Sequence, residues 1–380
     1  MMNVKLLDLS HQYRSIRREV LQRIREVCDA QSFVLGKNVR ALEEEIAQFC
    51  NARYAVGVAS GSDAILLALM ASGVGPGDRV ITTPYTFFAT ASAIVRLGAI
   101  PVFIDIDPAT YNIDPHGIEE YLKKASRRAI IAKSLKAIIP VHLFGQCAAM
   151  KPITTLAKTY GLKVVEDAAQ SIGAEYKGKR AGSLGNIGCF SFYPSKNLGG
   201  FGDGGMVTTN TKGLADKLRI LRVHGSKVKY YHQYVGINSR LDEIQATVLR
   251  LKLTRLERWE EGRRKNARRY DRLFKTKGLA TIVSTPEVDP DNRSIYNQYV
   301  IRVKKRDALR SHLAAKGIGT EIYYPVPLHL QKCFSEFGYK RGDLPVSEKA
   351  ARETIALPIY PELTAREQHY VVDTIGEFYK

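Results

Sequence analysis

From Tyr54 onward the chain alternates short apolar runs with segments long enough to be helices, and this alternation restricts it to very few folds. The runs are AVGVA (55–59), RVITT (79–83), IPVFIDI (100–106), KAIIPV (136–141), KVVED (163–167), IGCFSF (187–192) and GMVTT (205–209). Short runs that are apolar almost throughout belong to strands covered on both faces, and helix-length connections suit parallel neighbours. The expected fold class is therefore α/β, with a mainly parallel seven-stranded sheet between helices. The closing pair, joined by the short loop around Lys196, is the expected exception to the parallel rule.

Before the sheet, Ile16, Val20, Ile24 and Val27 fall on one helical face, and Ala41 to Cys50 repeats the spacing. After Val207 the strand signal fades into a helical LADKLRILRVHG, a tyrosine-rich VKYYHQYVGINSR and a long helix beginning near Leu241. From about Thr276 strands such as YNQYVIRV (296–303) mix with helices, an α+β pattern. At 380 residues the chain has room for a large domain over 1–250, N-terminal helices included, and a smaller one over 251–380.

Composition removes several classes of function. The five cysteines (Cys28, Cys50, Cys147, Cys189, Cys333) show no CxxC spacing and read as free thiols, not as a disulfide framework or zinc site. No run is long and apolar enough to span a bilayer, and the start lacks the apolar stretch of a signal peptide, so the expected location is the cytoplasm without membrane attachment. The formal charge of +19 is spread along the chain except over Lys252 to Lys277, where eleven Lys/Arg stand against four Asp/Glu. That segment reads as a mixed-sign, partly solvated helix; no nucleic-acid-binding pattern accompanies it.

In an open parallel sheet, ligands sit beyond the carboxyl ends of the strands, so the residues following each run carry the chemistry. After the first run come Ser60, Gly61, Ser62 and Asp63 before a helical stretch, with Ser62 or Asp63 the expected N-cap and the helix start an anion site. After the second, Phe87 and Phe88 put adjacent aromatics at the same edge, where one ring can lie on a planar cofactor. Asp167 ends the fifth run, where burial favours its neutral form unless a cation faces it; a protonated pyridine nitrogen is such a cation. Ser191 ends the sixth, and Lys196 follows in a Pro-Ser turn before GGFGDGG. An amine withdrawn from water there has a lowered pKa and is suited to Schiff-base chemistry.

These stretches resemble the pyridoxal-phosphate sugar aminotransferases of the DegT/DnrJ/EryC1/StrS family, which have the aspartate-aminotransferase type I fold. The matching segments are VASGSDAILLAL, TPYTFFATASAI, PVHLFGQ, VVEDAAQSIGA, FSFYPSKNLGG, VGINSRLDEIQA and YYPVPLHLQ, nearly end to end. The resemblance implies that Lys196 forms the Schiff base and shuttles a proton, that Asp167 pairs with the pyridine nitrogen and that Gln170 bonds the ring hydroxyl. It further implies that Phe87 stacks on the ring and that Gly61, Ser62 and Ser191 hold the phosphate. Asn238 would reach in from a second subunit, so a homodimer is expected. Tyr193 and His329 would line the sugar pocket, and Arg240 would take the donor carboxylate or the nucleotide diphosphate.

The expected activity is transfer of an amino group from an amino acid, glutamate in the first instance, to a nucleotide-linked keto-hexose. The PVHLFGQ and YYPVPLHLQ forms favour C3 of the sugar. A C4 aminotransferase, a related sugar dehydrase and a cofactor-binding regulator without turnover are the alternatives. Lys196 argues against the dehydrase branch, which carries histidine there.

Overall fold

The structure, a computed structural model, describes residues 2–380. All seven apolar runs are strands of one sheet: β1 (Tyr54–Val58), β2 (Arg79–Thr82), β3 (Ile100–Phe103), β4 (Leu135–Ile138), β5 (Lys163–Asp167), β6 (Ile187–Ser191) and β7 (Gly205–Thr209). Their order is β1-β7-β6-β5-β4-β2-β3. Strands β2 to β6 pair in parallel, whereas β7 runs antiparallel to both β6 and β1. The exception falls where expected, because the Lys196 loop holds no crossover helix and the chain simply reverses.

Among the described residues, α1 (Ser10–Asp29), α2 (Lys37–Phe49), α3 (Gly61–Ala71), α4 (Phe88–Val95), α5 (Pro115–Ser126), α6 (Ala129–Ser134), α7 (Met150–Thr159), α8 (Lys212–Leu221), α9 (Glu243–Leu253) and α10 (Leu256–Thr276) precede the C-terminal part. The sheet's period of two divides them. Val56, Val58, Val80, Val165 and Val207 join α3, α4 and α8 in one core, while Ala55, Ile81, Val164, Phe190 and Met206 join α2, α5, α7 and α9 in the other. Covering both faces explains why the strands lack polar alternation.

A third core is built on α10, which contributes Ala267, Tyr270, Leu273 and Phe274. It packs against the antiparallel pair β8 (Tyr299–Arg302) and β9 (Thr354–Leu357) and against α11 (Arg306–Ala315) and α13 (Ala365–Tyr379), while α12 (Pro345–Glu353) packs on a separate cluster with Tyr85, Tyr111 and Phe144. Val4 enters this core from the other end of the chain, bridging to Ile318.

Two expectations need correction. The long helix from Leu241 is two helices, broken at Thr254 and Arg255, because α9 packs on the sheet layer while α10 turns its apolar face to the third core. The N-cap of α3 is Ser60, not Ser62 or Asp63: its Oγ accepts the Asp63 amide at 3.1 Å, and the helix starts at least two residues earlier than expected. The charged α10 does keep most of its cations outside, but Arg263 is buried and donates to the carbonyls of Tyr296, Asn297 and Ile359. Among the described residues no helix is long and apolar enough to cross a membrane. All five cysteines are unpaired, and no described group of His, Cys, Asp and Glu has the make-up of a metal site.

Candidate active site

The carboxyl ends of β1, β5 and β6 meet at one edge, and strand register sets the residues in rows. Asp167 stands opposite Cys189, while Ser191 and Val58 both face Gly205. Helix α3 starts directly on this row. A Cβ on Gly61 would lie 2.6 Å from that of Ser191, and one on Gly205 would lie 2.4 Å from the Ser60 carbonyl oxygen. Glycine is required at both positions for the helix start to press onto the strand ends.

With Ser60 Oγ and its carbonyl oxygen taking the amides of Asp63 and Ala64, the amides of Gly61 and Ser62 have no acceptor among the described residues. The Ser191 hydroxyl oxygen accepts the Tyr193 amide at 3.3 Å and keeps its own proton to donate. Two unpaired amides at a helix N-terminus beside a hydroxyl make an anion cradle.

Asp167 is buried, and burial pushes its carboxyl above the usual range. The Thr90 hydroxyl at 2.7 Å, the Ala169 amide and the nearby Lys196 amine oppose that push and favour the charged form. Lys196 itself is half-buried, and burial lowers its pKa to about 8, with Asp167 acting in the opposite direction. The site thus contains an amine of lowered pKa beside an acid, at the edge where the cradle lies.

The neighbouring carboxylate is a control built into the same strand. Glu166 points to the other face of the sheet and is saturated, accepting the amides of Gly182, Leu184 and Gly185 and a bond from His142 at 2.9 Å. The Ala148 amide donates to His142 Nδ1, so Nε2 carries the proton given to Glu166. Glu166 ties loops together; Asp167 is left with capacity for a partner.

The two aromatics after β2 have separate fates. Phe88, 44% exposed, stacks on Phe334 with centroids 5.3 Å apart, and Phe87, just outside α4, is 62% exposed. Gln170 accepts the Phe144 amide and donates to the Tyr324 hydroxyl, each at 2.7 Å, which leaves one N–H of its amide. Tyr193 is exposed at the start of the lysine turn. Ser239 accepts the Ala59 amide, placing exposed Asn238 and half-buried Arg240 next to the end of β1.

His329 departs from its expected place on the wall of an open pocket. It is 1% exposed, bonded to Glu348 at 3.3 Å and edge-on to Tyr339, with Nδ1 unpartnered. Burial draws its pKa below the ordinary histidine value. Thr90, Tyr324 and the His142–Glu166 pair escaped sequence reasoning. Thr90 lies one helical turn from Phe87, but nothing in one dimension joins it to Asp167, 77 residues away.

A helix-start anion cradle, a low-pKa lysine, a strand-end acid and an exposed aromatic define the class: an enzyme that holds a phosphorylated carbonyl cofactor on a lysine. Residues 14–376 match the model of the DegT/DnrJ/EryC1/StrS aminotransferase family, and the chain belongs to that family. It is 51% identical over 379 residues to a pleiotropic regulatory protein of Geobacillus stearothermophilus, covering 100% of this chain and 99% of that one. It is 44% identical over 360 residues to a UDP-N-acetyl-3-dehydro-alpha-D-glucosamine 3-aminotransferase of Acidithiobacillus ferrooxidans, covering 95% and 94%. NtdA of Bacillus subtilis, solved with bound cofactor PMP, superposes with a TM-score of 0.90 at 31% identity over 99% of this chain and 85% of that one. Pyridoxal phosphate, the cofactor of this family, is the group these residues fit.

Proposed function

We propose that this aminotransferase moves the amino group of an amino acid, glutamate first among them, onto C3 of a nucleotide-linked keto-hexose. The observation that carries the reading is Lys196: an amine at about pKa 8 beside a buried, hydrogen-bonded Asp167, on a sheet edge shared with a free-amide cradle. The 44% identical 3-aminotransferase supports the nucleotide sugar and the C3 position.

When bound, pyridoxal phosphate supplies a carbonyl for the lysine amine and a ring that stores the electrons of a deprotonated carbon. The chain does the rest. The amides of Gly61 and Ser62 and the Ser191 hydroxyl hold the phosphate. Asp167, whose charged form Thr90 and the Ala169 amide favour against its burial, would hold the proton of the ring nitrogen in place, while Gln170 would offer its remaining N–H to the ring hydroxyl and Phe87 would cover one ring face. Lys196 Nζ would carry the proton lost by the donor's α-carbon to the cofactor in the first half-reaction and one from the cofactor to the sugar carbon in the second. Arg240 would take a carboxylate or diphosphate, and Tyr193 would border the sugar.

Two copies complete the site, with Asn238 of each offered to the other. Its loop follows a hairpin whose Tyr230 and Tyr231 are 81% and 73% exposed and itself carries Val235, 92% exposed, a surface that suits burial against a second chain. The free thiols suit a reducing cytoplasm.

The test is spectroscopic. Purified protein given cofactor should show a visible band that glutamate bleaches and a nucleotide 3-keto sugar restores; no band under cofactor-replete conditions refutes the reading. The 51% identical regulatory protein favours one rival, a regulator that keeps the cofactor without turnover. A band that no amino donor changes would establish it.

A further inference from the structure

The chain buries a second lysine that the reaction does not use. Lys252, in the last turn of α9, is 4% exposed, and its amine donates to the carbonyl of Gly199, three residues after Lys196. Nζ also sits 5.8 Å from the centre of the Phe201 ring. The surroundings hold no counter-charge: a cavity of about 490 Å³ beside it is lined by Leu9, Tyr13, Ile16, Ile24 and Phe201, with no carboxylate among its lining residues. Burial alone lowers the pKa of Lys252 to about 8. An amine held at such a cost, with only a carbonyl and a ring as partners, serves those partners.

Seven residues earlier on the same helical face, Gln245 accepts the Phe201 amide at 2.7 Å. Its amide also fills the space beside Gly200 and Gly202, where a Cβ would lie 2.7 Å and 3.0 Å from it. Gly199 in turn is pressed onto the Pro194 carbonyl, 2.4 Å from where its Cβ would stand, and the Lys196 amide closes the turn on Tyr193. Helix α9 therefore grips residues 199–202 at two points; those residues have no regular structure, and the Gly200 amide donating to the Phe192 carbonyl at 2.8 Å ties them to the end of β6.

We infer that Lys252 is a positioning residue for Lys196: its ammonium, clamped on Gly199 and capped by Phe201, anchors the downstream side of the turn that presents the Schiff-base amine. Lys252 touches neither substrate nor cofactor. It acts by restricting the backbone that carries Lys196.

The experiment compares wild type with Lys252→Met, which keeps the length without the donor, and with Lys252→Arg, which restores one. Hydrogen exchange of the cofactor-free proteins is read first. K252M should speed exchange of the Leu198 to Gly202 amides about tenfold or more while amides of the sheet strands stay within about twofold, since a local restraint opens locally. In the loaded enzyme kcat should fall about 10–100-fold with KM for the amino donor nearly unchanged, as expected of a small displacement of a catalytic group. K252R should recover most of both. Exchange and kcat as in wild type, or exchange raised evenly over the whole chain, would overturn the inference. Lys252→Gln, a shorter donor, gives the same comparison if K252M does not accumulate. The kinetic arm rests on Lys196 being the cofactor lysine, which borohydride reduction and peptide mapping of the wild type decide separately. Cofactor mass on another lysine refutes that assignment, while the exchange arm still decides whether Lys252 holds the turn.

Discussion

Lys196 and Lys252 are both withdrawn from water, and both have their pKa lowered to about 8 by burial, yet they sit in opposite kinds of place. Lys196 stands at the open edge of the sheet with Asp167 close enough to favour its charge. Lys252 lies under α1 with a carbonyl and an aromatic ring for company. Desolvation alone does not make a nucleophile. What separates the two amines is an approach for a carbonyl compound and an acid placed to hold the other end of it, and only Lys196 has both.

Removing each amine breaks the comparison most sharply. Lys196→Ala should abolish the donor half-reaction, a loss on the order of 10⁴-fold or more, with the melting temperature little changed. Measurable amino transfer in that variant would refute the role of the lysine, and the comparison predicts a far milder loss on the Lys252 side.

Asp167→Asn tests what only Lys196 possesses. Turnover should fall on the order of 10²–10³-fold, the scale of losing one placed electrostatic partner. In the cofactor-free protein, the pH midpoint for acylation of Lys196 should move lower still, since Asp167 is the group holding that pKa up. A midpoint that moves upward contradicts the assigned contact.

A stability profile sharpens the likeness. A lysine with a folded pKa near 8 and an ordinary value of 10.5 binds fewer protons folded than unfolded between those limits, so its cost is fully present below pH 8 and fades as pH rises. Cofactor-free wild type should therefore gain stability from pH 8 toward about 9.5, before the tyrosines of the unfolded chain ionise. Lys252→Met should gain measurably less over that range in chemical denaturation, and an equal gain would mean that Lys252 is not desolvated.

The smallest effect concerns the ring. Phe201→Leu removes a cation–π partner worth about 0.5–1 kcal/mol and should lower the pKa of Lys252 slightly further, leaving that of Lys196 unchanged. NMR titration of the two amines would show it.

Much of this was legible along the chain. The seven apolar runs became the seven strands because a strand covered on both faces needs apolar residues at successive positions, which local sequence records. Lys196, Asp167 and Ser191 were readable for a related reason: each directly follows or ends such a run, and strand ends are where a parallel sheet binds. The helix start was misread by two residues because Ser60, Ser62 and Asp63 have equal capping chemistry, and the choice depended on where β1 ends. The break between α9 and α10 left no mark in the charge pattern, since it answers to two different cores.

By itself, then, the sequence determined the order of strands and helices, the parallel sheet with its one reversed strand, and the residue types gathered at the strand ends. These are matters of local periodicity and turn chemistry, which neighbours in the chain settle among themselves. Only the tertiary structure decided that Thr90 supports Asp167, that Phe88 stacks on Phe334 beside the more exposed Phe87, and that His329 is bonded to Glu348 behind the surface. It also decided which of two lysines faces the open sheet edge to react and which is buried to hold. Such choices depend on groups tens to hundreds of residues apart sharing a few ångströms, and on how much water that leaves them.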